Sequence, residues 1–290
     1  MQLTNHTKLP QPLINAIAND DYNPGNADIS VTSLISPPQK VALEKKHSNM
    51  LTQDVADGIY ALIGKSIHKI LEDADESAIK EERLYTYSKG WCISGQFDRL
   101  VLNENNVLQD YKVSSVWEYI YGLKPEREQQ LNCYAELIRA NYDESKWPTL
   151  AEIIFIFRDW SKSKAKFTEG YPKHQVAIMS VPLWTQPKTQ DFIDHRVSLH
   201  QAAQSGKKIL CSDEDRWKDP TKWAVMKPGR KNAVKLHENY EEAVAHIDKD
   251  DSLELFIEKR PSIAKRCEDY CHAAPFCTQF QNEKKDEAVQ

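Results

Sequence analysis

Gly95–Lys112, GQFDRLVLNENNVLQDYK, is the stretch on which the reading of this chain turns. The run CISGQFDRLVL is β-prone, Asn103–Asn106 is a turn, and VLQDYKV is a second β-prone run, so the stretch reads as a β-hairpin. Side chains alternate across a strand, which puts Asp110 and Lys112 on one face and Tyr111 on the other. Pairing through the turn brings Asp98 beside Asp110. Two carboxylates and an ammonium on one patch of sheet make a divalent-cation site with a built-in general base. A lone D-x-K is more often a surface ion pair, so the flanking helices carry the decision.

Upstream, Asp54–Ala74 reads as a helix, with Val55, Ile59, Leu62, Ile63, Ile67, Ile70 and Leu71 on one apolar stripe. Gly64, His68 and Glu72 stack four residues apart on an adjoining face. Gly64 leaves room there for a strand or a ligand. The plain structural expectation for His68 is a half-buried ring paired with Glu72. Downstream, Pro125 suits the first turn of a second helix. Leu131, Tyr134, Ala135 and Ile138 form its buried stripe, and Gln130 and Tyr134 share one face.

The remainder is less informative. Residues 1–28 read as a polar N-terminal extension with a short helix around Leu13–Ile17 and a loop through Asn23-Pro24-Gly25. Ser30 is an N-cap for a helix broken at Pro37-Pro38. Leu84–Tyr87, Ala151–Phe157 and Gln175–Leu183 read as strands, and Asp191–Ala203 and Tyr240–His246 as helices. Arg158 leads into a basic loop with Lys162, Lys164 and Lys166, and Trp217–Arg230 is expected to be irregular. Arg158, Lys227, Arg230 and Lys231 are candidate phosphate contacts if they stand beside a two-carboxylate site. The charged segment 283–290 is expected to be a disordered tail.

Composition narrows the function classes. The 290 residues are 40% hydrophobic and 28% charged, ordinary for a soluble globular protein. No apolar run approaches the ~18 residues of a membrane span. The first residues lack a secretory pattern, so the expected location is the cytoplasm, or the host cytoplasm for a phage-encoded chain. A net charge of −5 argues against a histone-like blanket of positive charge but permits a local basic groove. There is no P-loop, G-x-G-x-x-G or G-x-S-x-G. Six cysteines without a signal do not suggest a disulfide framework, although Cys267, Cys271 and Cys277 cluster near the C-terminus.

In order, the pieces are G-x-x-x-H-x-x-L-E (Gly64–Glu72), G-x-x-D (Gly95–Asp98), D-Y-K (Asp110–Lys112) and Q-x-x-x-Y (Gln130–Tyr134). This order resembles the RecB-like branch of the PD-(D/E)xK nuclease superfamily, which includes the RecB and AddB nuclease domains and CRISPR-associated adaptation nucleases. The opening ISVTSLISPPQKVALEKKH also resembles phage-encoded exonucleases. Each motif is weak singly, and the correct order of four gives the likeness its weight. It covers residues 29–140 well, and the C-terminal cysteines extend it to about residue 280.

The resemblance implies an α/β fold with a restriction-endonuclease-like core, a mixed central β-sheet flanked by helices, in one domain over 29–282. It implies that Asp98 and Asp110 bind Mg²⁺ or Mn²⁺ with the Tyr111 carbonyl, and that His68 is a ligand held by Glu72. Hard oxygen donors suit Mg²⁺ over Zn²⁺. Lys112 would orient or deprotonate the attacking water, and Gln130 and Tyr134 would position the scissile phosphate or the lysine. The implied activity is an exonuclease on linear, end-bearing DNA in recombination, repair or phage genome processing. A recombinase or single-strand-binding protein is the candidate protein partner. A structure-selective endonuclease and an inert DNA-binding assembly subunit are the alternatives, the latter disfavoured because Asp98, Asp110 and Lys112 are all present.

One departure stands out. Iron–sulfur members of this branch join one N-terminal cysteine to three C-terminal ones, and here the matching N-terminal position is Pro37. Three thiolates could still hold an iron–sulfur cluster or Zn²⁺ if His272, Cys211 or an outside ligand completes the shell; otherwise the cluster is lost.

Overall fold

The computed structural model describes residues 2–19, 25–74, 77–249 and 254–289, with side chains to 285. The expected loop at Asn23-Pro24 lies outside them. They form two compact units, residues 1–42 with 48–209, and residues 43–47 with 210–290.

The first unit opens with β1 (Gln2–Thr4) and α1 (Gln11–Ala18). After β2 (Ile29–Ser30), the Ser30 hydroxyl accepts the Ser33 N–H at 3.2 Å and caps α2 (Val31–Leu34). The proline pair then ends that turn, and Pro38 opens α3 (Pro38–Lys46). β3 (Thr52–Asp54) pairs parallel with β1. Asp54 caps a 3₁₀ turn, Val55–Gly58, which feeds α4 (Ile59–Ala74). Then come β4 (Ile79–Lys80), β5 (Arg83–Ser88), β6 (Trp91–Gln96), β7 (Arg99–Val101) and β8 (Val107–Ser114). The unit closes with α5 (Val116–Ile120), α6 (Pro125–Asn141), β9 (Leu150–Phe157), α7 (Lys162–Phe167), β10 (Val176–Val181) and α8 (Gln186–Gln204).

The fold is mixed α/β. A five-stranded sheet runs β10-β9-β8-β7-β4, and a three-stranded sheet runs β2-β6-β5. β8 is interior, paired parallel with β9 over its whole length and antiparallel with β7. Along β9, Ala151, Ile153, Phe155 and Phe157 alternate into the core, the half-buried pattern of a strand covered more on one face. α6 packs on β5, β6 and β8, and every residue from Leu131 to Ile138 is buried.

The run expected as a single strand, CISGQFDRLVL, is two strands in different sheets. Its buried apolar and glycine positions go Ile93, Gly95, Phe97 and then Leu100, with Ser94 buried between the first two. A step of two is the strand repeat, so the step of three marks where the alternation slips. Phe97, 1% exposed, anchors the crossing, and Asp98 follows it.

Three further expectations change. The basic segment with Lys162, Lys164 and Lys166 is helix α7, capped by Ser161, whose hydroxyl accepts the Lys164 N–H. In the second unit, the segment expected to be irregular contains β11 (Lys222–Met226), the middle strand of a sheet with β12 (Lys235–His237) and β13 (Phe256–Arg260). α9 (Tyr240–Ile247) packs against that sheet. The expected disordered tail continues α10 (Thr278–Val289). Glu283 anchors it by clasping both terminal nitrogens of the buried Arg216, a bidentate geometry that fixes direction as well as distance. Among the described residues, no helix is long and apolar enough to cross a membrane.

Candidate functional site

The site begins at the sheet crossing. Arg99 pairs with Gln109 and Leu100 with Leu108, so the register places Asp98 opposite Asp110. One Asp98 oxygen accepts the Tyr111 backbone N–H at 2.7 Å, and the other lies 3.4 Å from His68 Nδ1. Burial pushes the Asp98 carboxyl upward, but His68, the Lys112 charge and the Tyr111 N–H together hold it below the ordinary carboxylate range. Donating to Asp98 raises the His68 pKa against the effect of burial. The imidazole also stands edge-on to the Tyr111 ring, at 6.3 Å between centroids.

Glu81, which the sequence reading missed, completes this group. Its Oε1 lies 4.0 Å from His68 Nδ1, and its Oε2 accepts Gln96 Nε2 at 2.8 Å. Gln96 is fixed in turn by Arg83, at 2.9 Å. The Glu81 backbone sits in the left-handed region, φ +48°, and its N–H donates to the Asp98 carbonyl at 3.2 Å. A non-glycine residue held there is strained, and such strain persists where the surroundings over-determine it. Burial, then the nearby Asp98 charge, raises the Glu81 pKa. One ligand atom from each of His68, Glu81 and Asp98 falls within 4.8 Å of the other two, so the group can hold a metal ion. Nothing in the residue types around position 81 separates this glutamate from its neighbour Glu82; its role comes from the bend it occupies.

Asp110 and Lys112 share a face as alternation requires, with Nζ 2.5 Å from Oδ2. Asp110 is 2% exposed, and its buried Oδ1 has no hydrogen-bond partner. Burial raises its pKa, the nearby Asp98 charge adds to that, and Lys112 opposes it. An orphaned carboxylate oxygen in a buried position is costly unless something electropositive meets it. The donor set therefore fits a hard divalent cation, with two carboxylates and an imidazole converging and a further carboxylate oxygen free beside them.

On α6, Gln130 Nε2 donates to the Tyr134 hydroxyl at 2.9 Å. Burial and then the Asp110 charge push the Tyr134 pKa far above its ordinary value, so the phenol stays neutral. Gly95 makes this approach possible. A Cβ there would lie 2.5 Å from Leu137 Cδ1 and 2.9 Å from Tyr134 Cε1. Gly64, by contrast, faces open space, as the sequence reading required of it. Arg127, also on α6, was not foreseen; it donates to Glu118 at 2.8 Å while its charge is felt at Asp110.

The other expected residues are placed as follows. Glu72 does not hold His68: it pairs with Lys69 at 3.1 Å, because Asp98 already takes the histidine. Arg158 follows β9, donates its backbone N–H to the Ser114 carbonyl and lays its guanidinium 4.3 Å over the Tyr60 ring. Lys227, Arg230 and Lys231 lie after β11 in the second unit, where the Arg230 N–H closes a turn onto the Lys227 carbonyl. Cys267, Cys271 and Cys277 lie in that same unit, and none of them is in a disulfide.

No protein-family model and no curated protein matches the chain. Among solved structures it is similar to SSO0001, at 15% identity and a TM-score of 0.42, over 66% of this chain and 83% of that one. It is also similar to a Eubacterium rectale protein named "Putative exonuclease", at 14% identity and a TM-score of 0.32, over 69% and 76% of the two chains.

Proposed function

We propose that this chain is a metal-dependent DNA exonuclease of the PD-(D/E)xK type, with residues 29–282 as its working part. The observation that carries the reading is the convergence of Asp98, Asp110 and Lys112 with His68 and Glu81 on one patch beside Gln130 and Tyr134. His68, Glu81 and Asp98 would hold Mg²⁺ or Mn²⁺, with Asp110 Oδ1 and the Tyr111 carbonyl as further oxygen donors. The bound ion would polarise the phosphodiester and make water a stronger nucleophile at neutral pH.

The chain's own groups supply the rest. Lys112, held by Asp110, orients the attacking water and stabilises charge at the phosphate. Tyr134 fixes the Gln130 side chain, whose amide positions the scissile phosphate. Arg83 and Gln96 hold Glu81 in its bend. Arg158, in the unit that carries the carboxylates, is assigned to a phosphate of the DNA, and Lys227, Arg230 and Lys231 are separate candidate phosphate contacts on the second unit; such contacts position the nucleic acid without reading sequence. Linear DNA is the partner, with recombination, repair or phage genome processing as the setting and a recombinase or single-strand-binding protein as the protein partner.

The test is degradation of end-labelled linear DNA against a covalently closed circle, with Mg²⁺ or Mn²⁺ and with EDTA. Loss of the linear form alone, dependent on metal, is expected. Lys112→Ala and Asp110→Ala should each lower the rate by about 10³-fold while DNA binding persists. Cutting of the circle would reassign the chain as an endonuclease. Absence of cleavage from both substrates would overturn the enzyme reading in favour of an inert binding subunit.

A further inference from the structure

The second unit carries a pair of histidines that the proposed DNA chemistry does not use. His237 ends β12, across the sheet from Trp223, and His246 lies in the last turn of α9. Their rings stand edge to face with centroids 5.1 Å apart. Glu242, one helical turn before His246, brings Oε2 to 3.6 Å from His237 Nδ1. Asn239 fixes that carboxylate from the helix N-terminus. Its Oδ1 accepts the Glu242 N–H at 2.8 Å, and its Nδ2 donates to Glu242 Oε1 at 3.0 Å. One carboxylate oxygen is thereby tied and the other is left toward the imidazole. The fully buried Ala243 seats α9 on the sheet, and Tyr240 meets the Trp223 ring at 4.9 Å. His237, Glu242 and His246 line a cleft of about 570 Å³ together with Ala245 and Lys249.

The His237 side chain is 13% exposed, and its Nε2 is buried with no hydrogen-bond partner. A buried polar nitrogen left alone is costly. No short hydrogen bond fixes the tautomer, so this ring can present a lone pair. Zn–N bonds of about 2.0–2.1 Å at a tetrahedral angle set two imidazole centroids about 5 Å apart and two ligand atoms about 3.4 Å apart. The separations of 5.1 Å and 3.6 Å are of that size. As the side chains stand, one ligand atom from each of the three does not fall within 4.8 Å of both others. His237 and Glu242 are already close, so the remaining step is a turn of the His246 ring beside the cleft. Two imidazoles and one carboxylate are a donor set that leaves tetrahedral zinc one open position. Imidazole nitrogens also favour Zn²⁺ over Mg²⁺.

We propose that His237, Glu242 and His246 bind a Zn²⁺ ion whose fourth position opens on the cleft. The ion ties β12 to the first and last turns of α9. The Lys249 ammonium on the cleft wall favours water or an anionic group as the fourth ligand. This centre is separate from the group around Asp98, which belongs to the first unit.

The test follows the ring nitrogens of the full chain, ¹⁵N-labelled at its nine histidines, through a Zn²⁺ titration by NMR. His237 and His246 should shift together and saturate at the same zinc concentration. In His246→Asn the His237 signal should lose its response. Glu242→Gln should weaken zinc binding at this pair by at least about tenfold, the loss that even an outer partner of a ligand gives. Mg²⁺ should move neither ring. Each histidine is read separately, so zinc taken up by the cysteines or by His68 does not enter the result. Zinc shifts confined to other histidines, a His237 response that survives in His246→Asn, or unchanged affinity in Glu242→Gln would each overturn the proposal. The wild-type titration decides the matter even if neither variant folds.

Discussion

α4 and α6 flank the same carboxylates and are built in opposite ways. α4 buries none of its residues fully, and Ile70 is 62% exposed. α6 buries eight consecutive residues, including Asn132 and Glu136. Asn132 is satisfied by the Glu128 and Pro182 carbonyls and the Trp184 N–H. Tyr134 is thus placed by the core, and Gln130 follows it. His68 is placed by the site, through Asp98 and Glu81. The difference separates two kinds of candidate site residue: one that the fold cannot lose and one that it can.

The sharpest test sets Tyr134→Ala against His68→Ala. Emptying the buried Tyr134 position should cost about 3–5 kcal/mol in denaturant unfolding. His68→Ala should cost about 1 kcal/mol in the metal-free protein yet weaken Mn²⁺ binding by about 10–100-fold in a titration. Equal stability losses would erase the contrast. The glycines give a smaller version of it. Gly95→Ala should destabilise by about 1–3 kcal/mol, because Leu137 and Tyr134 must move. Gly64→Ala, meeting nothing within 4 Å, should gain about 0.5–1 kcal/mol of helix stability by the same measurement.

The smallest expected effect is a pH slope. The His68 pKa is raised in the folded protein by Asp98. Its stabilising contribution is therefore complete below the unfolded value of about 6.5 and is lost as pH rises through the raised folded value. Unfolding of metal-free protein followed across neutral pH should show this decline, and His68→Asn should flatten it. Tyr134, kept neutral by burial, should add no slope in that range. An unchanged slope in His68→Asn would remove the histidine from the pair.

Short-range periodicity explains how much of this was readable. Alternation placed Asp110 and Lys112 together, helical spacing placed Gln130 on Tyr134, and a hairpin brought Asp98 to Asp110. The misses are all long-range or conformational. Glu72 was the natural partner for His68 at one helical turn, but two carboxylates from the connections between strands, Glu81 and Asp98, take its place. Glu81 depends on a left-handed backbone that its residue type does not announce. The sheet crossing was encoded as the step from Phe97 to Leu100, one residue out of phase. α4 carries the clearer apolar stripe of the two helices and α6 the deeper burial, because charged residues at both ends of α6 dilute its pattern. The Cys211 backbone is held by Gln279, a contact across 68 positions that no local motif records.

The chain crosses between sheets at Phe97 and Asp98, and the Glu81 N–H reaches the Asp98 carbonyl there. His68 comes from a helix, Glu81 from a bend between two strands and Asp98 from the crossing, so no single segment carries the donors. A nascent chain with one sheet formed has no centre at all. An ion held by this group would therefore bind only where all three segments are in place, so its binding would report that this joint of the fold has formed.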